Sequence, residues 1–61
     1  MLKELRKRHK MSQKALSEYL GIHYTLYQRY EYGKTELPIK HALKLKQLYN
    51  CTLDFIYGVG L

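Results

Sequence analysis

Residues 12–33, SQKALSEYLGIHYTLYQRYEYG, leave this chain few ways to fold. Leu16 and Leu20 stand at helical spacing before Gly21, and Tyr27 and Tyr30 do so after it. Glycine takes the left-handed conformation that ends a helix at least cost, so Gly21 stops the first segment and Gly33 the second. Ser12 is a good N-cap for the first helix, with Met11 and Leu16 placed as a hydrophobic staple. His23 is a weaker cap for the next helix, where Ile22 and Tyr27 form a second staple. The spacing predicts two short helices joined by a turn at Gly21, Ile22 and His23. Three further helices flank them. The first carries Leu2 and Leu5 on one face and ends in the basic turn of Lys7, Arg8, His9 and Lys10, cations that suit the negative end of a helix dipole. Pro38 suits the first turn of a fourth helix, whose Ile39, Ala42, Leu45 and Tyr49 repeat at helical spacing. Thr52 caps a last short helix that ends at Gly58. No stretch alternates with period two, so the fold class is all-α, one domain over residues 1–61.

Charge narrows the partners. The 61 residues hold eleven Lys and Arg against five Asp and Glu, a formal net charge of +6. A basic domain attracts polyanions, with nucleic acid the commonest partner and anionic membrane the alternative. The membrane reading fares poorly, because no apolar run approaches the ~20 residues that span a bilayer and no signal-peptide pattern opens the chain. Cys51 is the single cysteine and has no internal disulfide partner, which fits a reducing cytosol. A soluble cytoplasmic protein is expected.

The second helix of the pair presents Tyr24, Thr25, Gln28 and Arg29 on one polar face, at separations that make them neighbours. Two helices around a tight turn, the second with such a face outward, is the layout that seats a recognition helix in the DNA major groove. Arg29 can donate two parallel hydrogen bonds to guanine O6 and N7, and Gln28 can pair with adenine N6 and N7. Thr25 suits a thymine methyl or a phosphate, and Tyr24 suits either from the helix start. A solvated face is the plainer explanation of such a pattern, and the surrounding charge weighs against it.

The segments LKELRKRHKMSQ (2–13), LSEYLGI (16–22), RYEYGKTELPI (29–39) and LYNCTLDFIYG (48–58) together resemble the Cro/CI-type (XRE-like) helix-turn-helix domains of bacterial and phage transcriptional regulators. They follow that family's order and spacing over nearly the whole chain. The resemblance implies a compact five-helix, lambda-repressor-like DNA-binding domain in which residues 24, 25, 28 and 29 face the bases. It implies a backbone-phosphate contact for Gln13, at a helix start whose free N–H groups and dipole favour an anion. Lys34 and Thr35 follow the recognition helix as further phosphate candidates, with Lys10 and Lys14 behind them. It also implies that Arg6 and Glu31 pair across the bundle, a structural role. The sequence departs from the family's usual residues in having tyrosine at 24, 27 and 32 and histidine at 23.

Other chemistry finds little support. Tyr27, Tyr30 and Tyr49 read as core, leaving too few exposed aromatics for an RNA-stacking platform. His9, His23 and His41 show no ligand spacing with each other or with Cys51, so neither metal nor cofactor is expected. No acid–base pair, nucleophile constellation or phosphate loop is present, and an enzyme is not expected. The expected function is a sequence-specific DNA-binding transcriptional regulator, a repressor acting as a homodimer on a palindromic operator. Tyr57, Val59 and Leu61 are the expected dimer contacts, because the C-terminal segment is more apolar than a short helix can hide. The alternatives are an antitoxin or protein-binding adaptor that autoregulates its operon, and the DNA-binding domain of a longer regulator.

Overall fold

Each helix stops at a residue in the left-handed region. In the computed structural model, which describes residues 2–58, the chain forms α1 (Leu2–Arg8), α2 (Gln13–Leu20), α3 (Tyr24–Glu31), α4 (Ile39–Tyr49) and α5 (Leu53–Tyr57). Among the described residues there is no strand. After α2, Gly21 sits at φ 71°, and the N–H groups of Gly21 and Ile22 return to Glu18 O and Ser17 O. Gly33, at φ 72°, closes α3 in the same way, with Lys34 N–H reaching Arg29 O at 3.0 Å. Paired bonds of this kind satisfy carbonyls that a helix end otherwise strands. The starts follow the expected chemistry as well. Ser12 Oγ accepts from Ala15 N at 3.0 Å and Thr52 Oγ1 from Phe55 N at 3.2 Å.

Three details depart from the sequence reading. First, α1 ends at Arg8 and not in the turn through Lys10, because Lys10 itself takes φ 55° and acts where a glycine was the expected signal. Second, Pro38 is the N-cap of α4 and not part of its first turn. Third, Ile39 is 56 % exposed and the buried face of α4 is His41, Ala42, Leu45 and Tyr49. The two successive three-residue steps from Ile39 to Ala42 and on to Leu45 each rotate the face by about 60°, so Ile39 lies ~120° around the axis from Leu45. A histidine fills the core position instead. Its ring centroid lies 6.0 Å from that of Tyr30, and burial, with Lys40 and Lys44 nearby, pushes its pKa below the ordinary value.

The core gathers one to three side chains from every helix: Leu2 and Leu5, Leu16 and Leu20, Tyr27 and Tyr30, Ala42, Leu45 and Tyr49, and Ile56. Met11, Ile22, Leu26 and Phe55 pack against it half-buried. Helix α3 rests chiefly on α2 and also on α1, while α4 packs on α5. Helix α3 is therefore held from two sides.

The Tyr27 and Tyr49 hydroxyls are buried with no hydrogen-bond partner of good geometry. Burial raises the pKa of Tyr27 far above its ordinary range, reinforced by the Glu31 carboxylate, close enough to be felt but not to accept a well-formed bond. Burial likewise pushes Tyr49 up to about 12. A stranded hydroxyl adds nothing that its ring does not already supply, and its desolvation costs about 1–3 kcal/mol. Tyr27→Phe is accordingly expected to leave stability unchanged or raise it. Urea denaturation checks this: a loss above about 1 kcal/mol would show that the hydroxyl has a partner.

Of the expected dimer contacts, Val59 and Leu61 lie outside the described residues. Tyr57 is 42 % exposed, and its hydroxyl donates to Leu37 O at 3.0 Å. That bond ties α5 to the loop before α4 and leaves much of the ring in solvent.

Candidate nucleic-acid interface

The sequence of α3, YTLYQRYE, divides its surface sharply. Tyr27 and Tyr30 point into the core, and Leu26 is half-buried beside them. Tyr24, Thr25 and Arg29 are exposed on the other side, with Gln28 at the boundary. His23 turns out to be a working cap, since its Nδ1 accepts from Thr25 N at 3.1 Å. This leaves the Thr25 hydroxyl outward and fixes the first turn from which Tyr24 projects. Arg29 is exposed and, among the described residues, its guanidinium has no hydrogen bond or ion pair. A free, fully donating fork on a rigid helix is suited to bidentate recognition of an acceptor pair.

Beneath this face lies an ion pair that anchors α3 to α1. Arg6 Nε donates to Glu31 Oε2 at 2.7 Å and Arg6 Nη2 to Glu31 Oε1 at 3.3 Å. Arg6 Nη1 reaches Met11 O at 3.1 Å, so one guanidinium joins the end of α3 to the loop after α1. The Glu31 side chain is 0 % exposed and that of Arg6 12 %. Burial alone disfavours the Glu31 carboxylate, but hydrogen bonds from Arg6 and Gln13, with the Arg6 charge, hold its pKa below the ordinary value. The same bond with Glu31 raises Arg6.

From Glu31 the network runs out to the surface. Gln13 Nε2 donates to Glu31 Oε1 at 3.0 Å. Gln13 Oε1 accepts from Gln28 Nε2 at 3.2 Å and, more distantly, from the Tyr24 hydroxyl at 3.4 Å. Gln28 Nε2 also donates to the Tyr24 hydroxyl at 2.9 Å. Three of the expected contact residues, Gln13, Tyr24 and Gln28, thus touch one another, while Arg29 and Thr25 stand apart. Sequence reading did not find this linkage, because Gln13 and Gln28 are separated by 15 positions on different helices. Gln13 opens α2 and Gln28 lies midway along α3, so no local pattern signals their meeting.

Arg29 is the one basic residue on α3, and the lysines lie on the neighbouring segments. Lys10 and Lys14 are exposed at the start of α2, and Lys34 is exposed in the turn that closes α3, with Thr35 half-buried beside it. Lys40, Lys44 and Lys46 are exposed on α4. No helix among the described residues is long and apolar enough to cross a membrane.

A helix pair of this geometry, with the second helix braced from behind and polar in front, defines a helix-turn-helix module. The helix-turn-helix family model matches residues 2–56, and the chain belongs to that XRE-type family. It is also similar to an uncharacterized HTH-type transcriptional regulator, YobD, of Bacillus subtilis (strain 168), at 34 % identity over 58 residues. That match covers 95 % of this chain and 52 % of the relative, so the chain spans about half the length of the curated relative it matches. No solved structure matches.

Proposed function

We propose that this chain is the sequence-specific DNA-binding module of a transcriptional regulator, a repressor acting as a homodimer on a palindromic operator. One observation carries the reading: α3 is locked by its inner face to α2 and α1 while Tyr24, Thr25, Gln28 and Arg29 line its outer face. In this reading Arg29 and Gln28 supply base contacts, and Gln13, Lys34, Thr35, Lys10 and Lys14 position the module on phosphates. The family membership and the regulator named above support it. The net charge of +6 supplies the long-range attraction. One recognition helix covers too few base pairs to define a genomic site, which favours paired modules on half-sites about 34 Å apart. Among the described residues, Tyr57, 42 % exposed, is assigned in this reading to the contact between the pair.

Arg29→Ala is expected to cost about 1–3 kcal/mol on the preferred duplex and much less on random duplex, with relaxed choice at one base pair. Lys34→Ala is expected to weaken both duplexes by comparable factors. It should also reduce the slope of log affinity against log salt by about one unit. Fluorescence titrations over a salt series check both, with circular dichroism to confirm the fold. Equal losses on both duplexes for Arg29→Ala would place it on phosphate, and an unchanged salt slope for Lys34→Ala would remove it from the interface. Footprinting at saturating protein should show two protected half-sites. One half-site, bound by a monomer, would end the dimer reading.

The protein-partner alternative has an observation of its own. Ile39 and Leu43, 56 % and 47 % exposed, sit four positions apart on the outer face of α4. This pair lies on a different helix from the recognition face, so a protein contact there is compatible with DNA binding.

A further inference from the structure

We propose that Glu31 sets the hydrogen-bonding polarity of the recognition face through a relay of two amides, so that Gln28 meets DNA as an acceptor and selects an exposed amino group. The inference rests on the DNA-binding reading above and adds the direction in which one of its contacts is made.

An ionised carboxylate only accepts hydrogen bonds, and the Arg6 guanidinium keeps Glu31 in that form. The Gln13 amide that meets Glu31 Oε1 must therefore present its NH2 group, whichever way it would turn if free. Its oxygen then faces Gln28 and requires a donor. Gln28 answers with its own NH2, whose two hydrogens are directed to Gln13 Oε1 at 3.2 Å and to the Tyr24 hydroxyl at 2.9 Å. Both N–H donors of Gln28 are spent within the protein. Among the described residues nothing donates to Gln28 Oε1, so the open atom of this side chain is a carbonyl oxygen.

A free glutamine pairs bidentately with adenine, giving and receiving one hydrogen bond each. The relayed Gln28 has no donor to give. On the strand it faces, it can accept from adenine N6 or cytosine N4 but meets an opposing oxygen at guanine O6 or thymine O4. Adenine and cytosine should be accepted together and guanine and thymine rejected together. A solitary glutamine does not produce that pattern. Gln13 and Glu31 act here as positioning residues, and Gln28 is the residue that touches the base.

The test is selection of binding sites from random duplexes by the full chain and its variants. Gln28→Ala first identifies the base pair concerned, as the one position where preference is lost. The wild-type protein is expected to favour adenine or cytosine over guanine or thymine there by about tenfold. Gln13→Met keeps the side-chain length but breaks the relay and frees one Gln28 donor. It should bind all duplexes more weakly, having lost the Gln13 phosphate contact, and lose the discrimination at that one pair while keeping it at the others. Gln28→Glu, a side chain with acceptors only, should keep the amino-group preference at lower affinity, and it decides the matter should Gln13→Met not fold. A wild-type preference for guanine or thymine at this pair, or an adenine-or-cytosine preference that persists in Gln13→Met, overturns the relay. So does a switch to guanine or thymine in Gln28→Glu, or no change at any pair in Gln28→Ala. These outcomes leave sequence-specific DNA binding standing, whereas a wild-type protein that enriches no sequence overturns both.

Discussion

Glu31→Ala is expected to remove about 3 kcal/mol of stability, because it leaves the mostly buried Arg6 guanidinium without its counter-charge. The loss is severe in a chain of 61 residues, whose whole stability is of the order of 3–9 kcal/mol. Arg6→Ala should be as damaging, since it strands a carboxylate that is 0 % exposed. The double variant should then be less unstable than the sum of the two. Chemical denaturation of the four proteins checks this; additive losses below about 1 kcal/mol each would mean two independent surface charges. The same pair predicts the acid response. The folded-state pKa of Glu31 lies below its ordinary 4.5, so its contribution is complete above that value and is lost as pH falls through the folded pKa. His41 shifts in the same direction, from an ordinary 6.5 downward, because burial disfavours its charged form. The unfolded chain therefore binds protons first at both sites, and stability should fall in two stages on acidification. Glu31→Gln should abolish the lower stage and leave the upper one.

Leu45→Ala is expected to cost 2–5 kcal/mol by the usual cavity argument, about half or more of the domain's stability. Leu45 is 0 % exposed at the centre of α4 and lies in the core shared by all five helices. Leu43→Ala, two positions away, is the natural control: Leu43 is 47 % exposed and the change should fall within about 0.5 kcal/mol. Thermal denaturation of the pair checks the orientation of α4 directly. Comparable losses would mean that Leu43 is covered in solution, as by the partner surface suggested by Ile39.

The fold was legible wherever one residue type carries a local conformation. Ser12 and Thr52 as caps, and Gly21, Gly33 and Gly58 as stops, mark helix ends because their chemistry acts within a few positions. Lys10 and Asn50 escape that reading: they take positive φ without being glycine, in turns closed by backbone bonds from Met11 N to Arg6 O and from Cys51 N to Lys46 O. Ile39 was misread because apolar character says nothing about rotation about the helix axis, and the buried arc of α4 begins two residues later at His41. At the candidate interface, spacing alone put Tyr24, Thr25, Gln28 and Arg29 together. The Gln13–Gln28 contact was not legible, as no local pattern reports the meeting of two helices across 15 positions.

The most direct measurement is site selection from random duplexes by the wild-type chain beside a Thr25→Ala, Gln28→Ala, Arg29→Ala triple variant. These residues lie outside the buried core, so the variant should keep its helical circular dichroism. The wild-type protein is expected to enrich a defined sequence, and the variant to retain salt-sensitive binding through its lysines while enriching none. Enrichment of the same sequence by both proteins would contradict the assignment of α3 as the reading element.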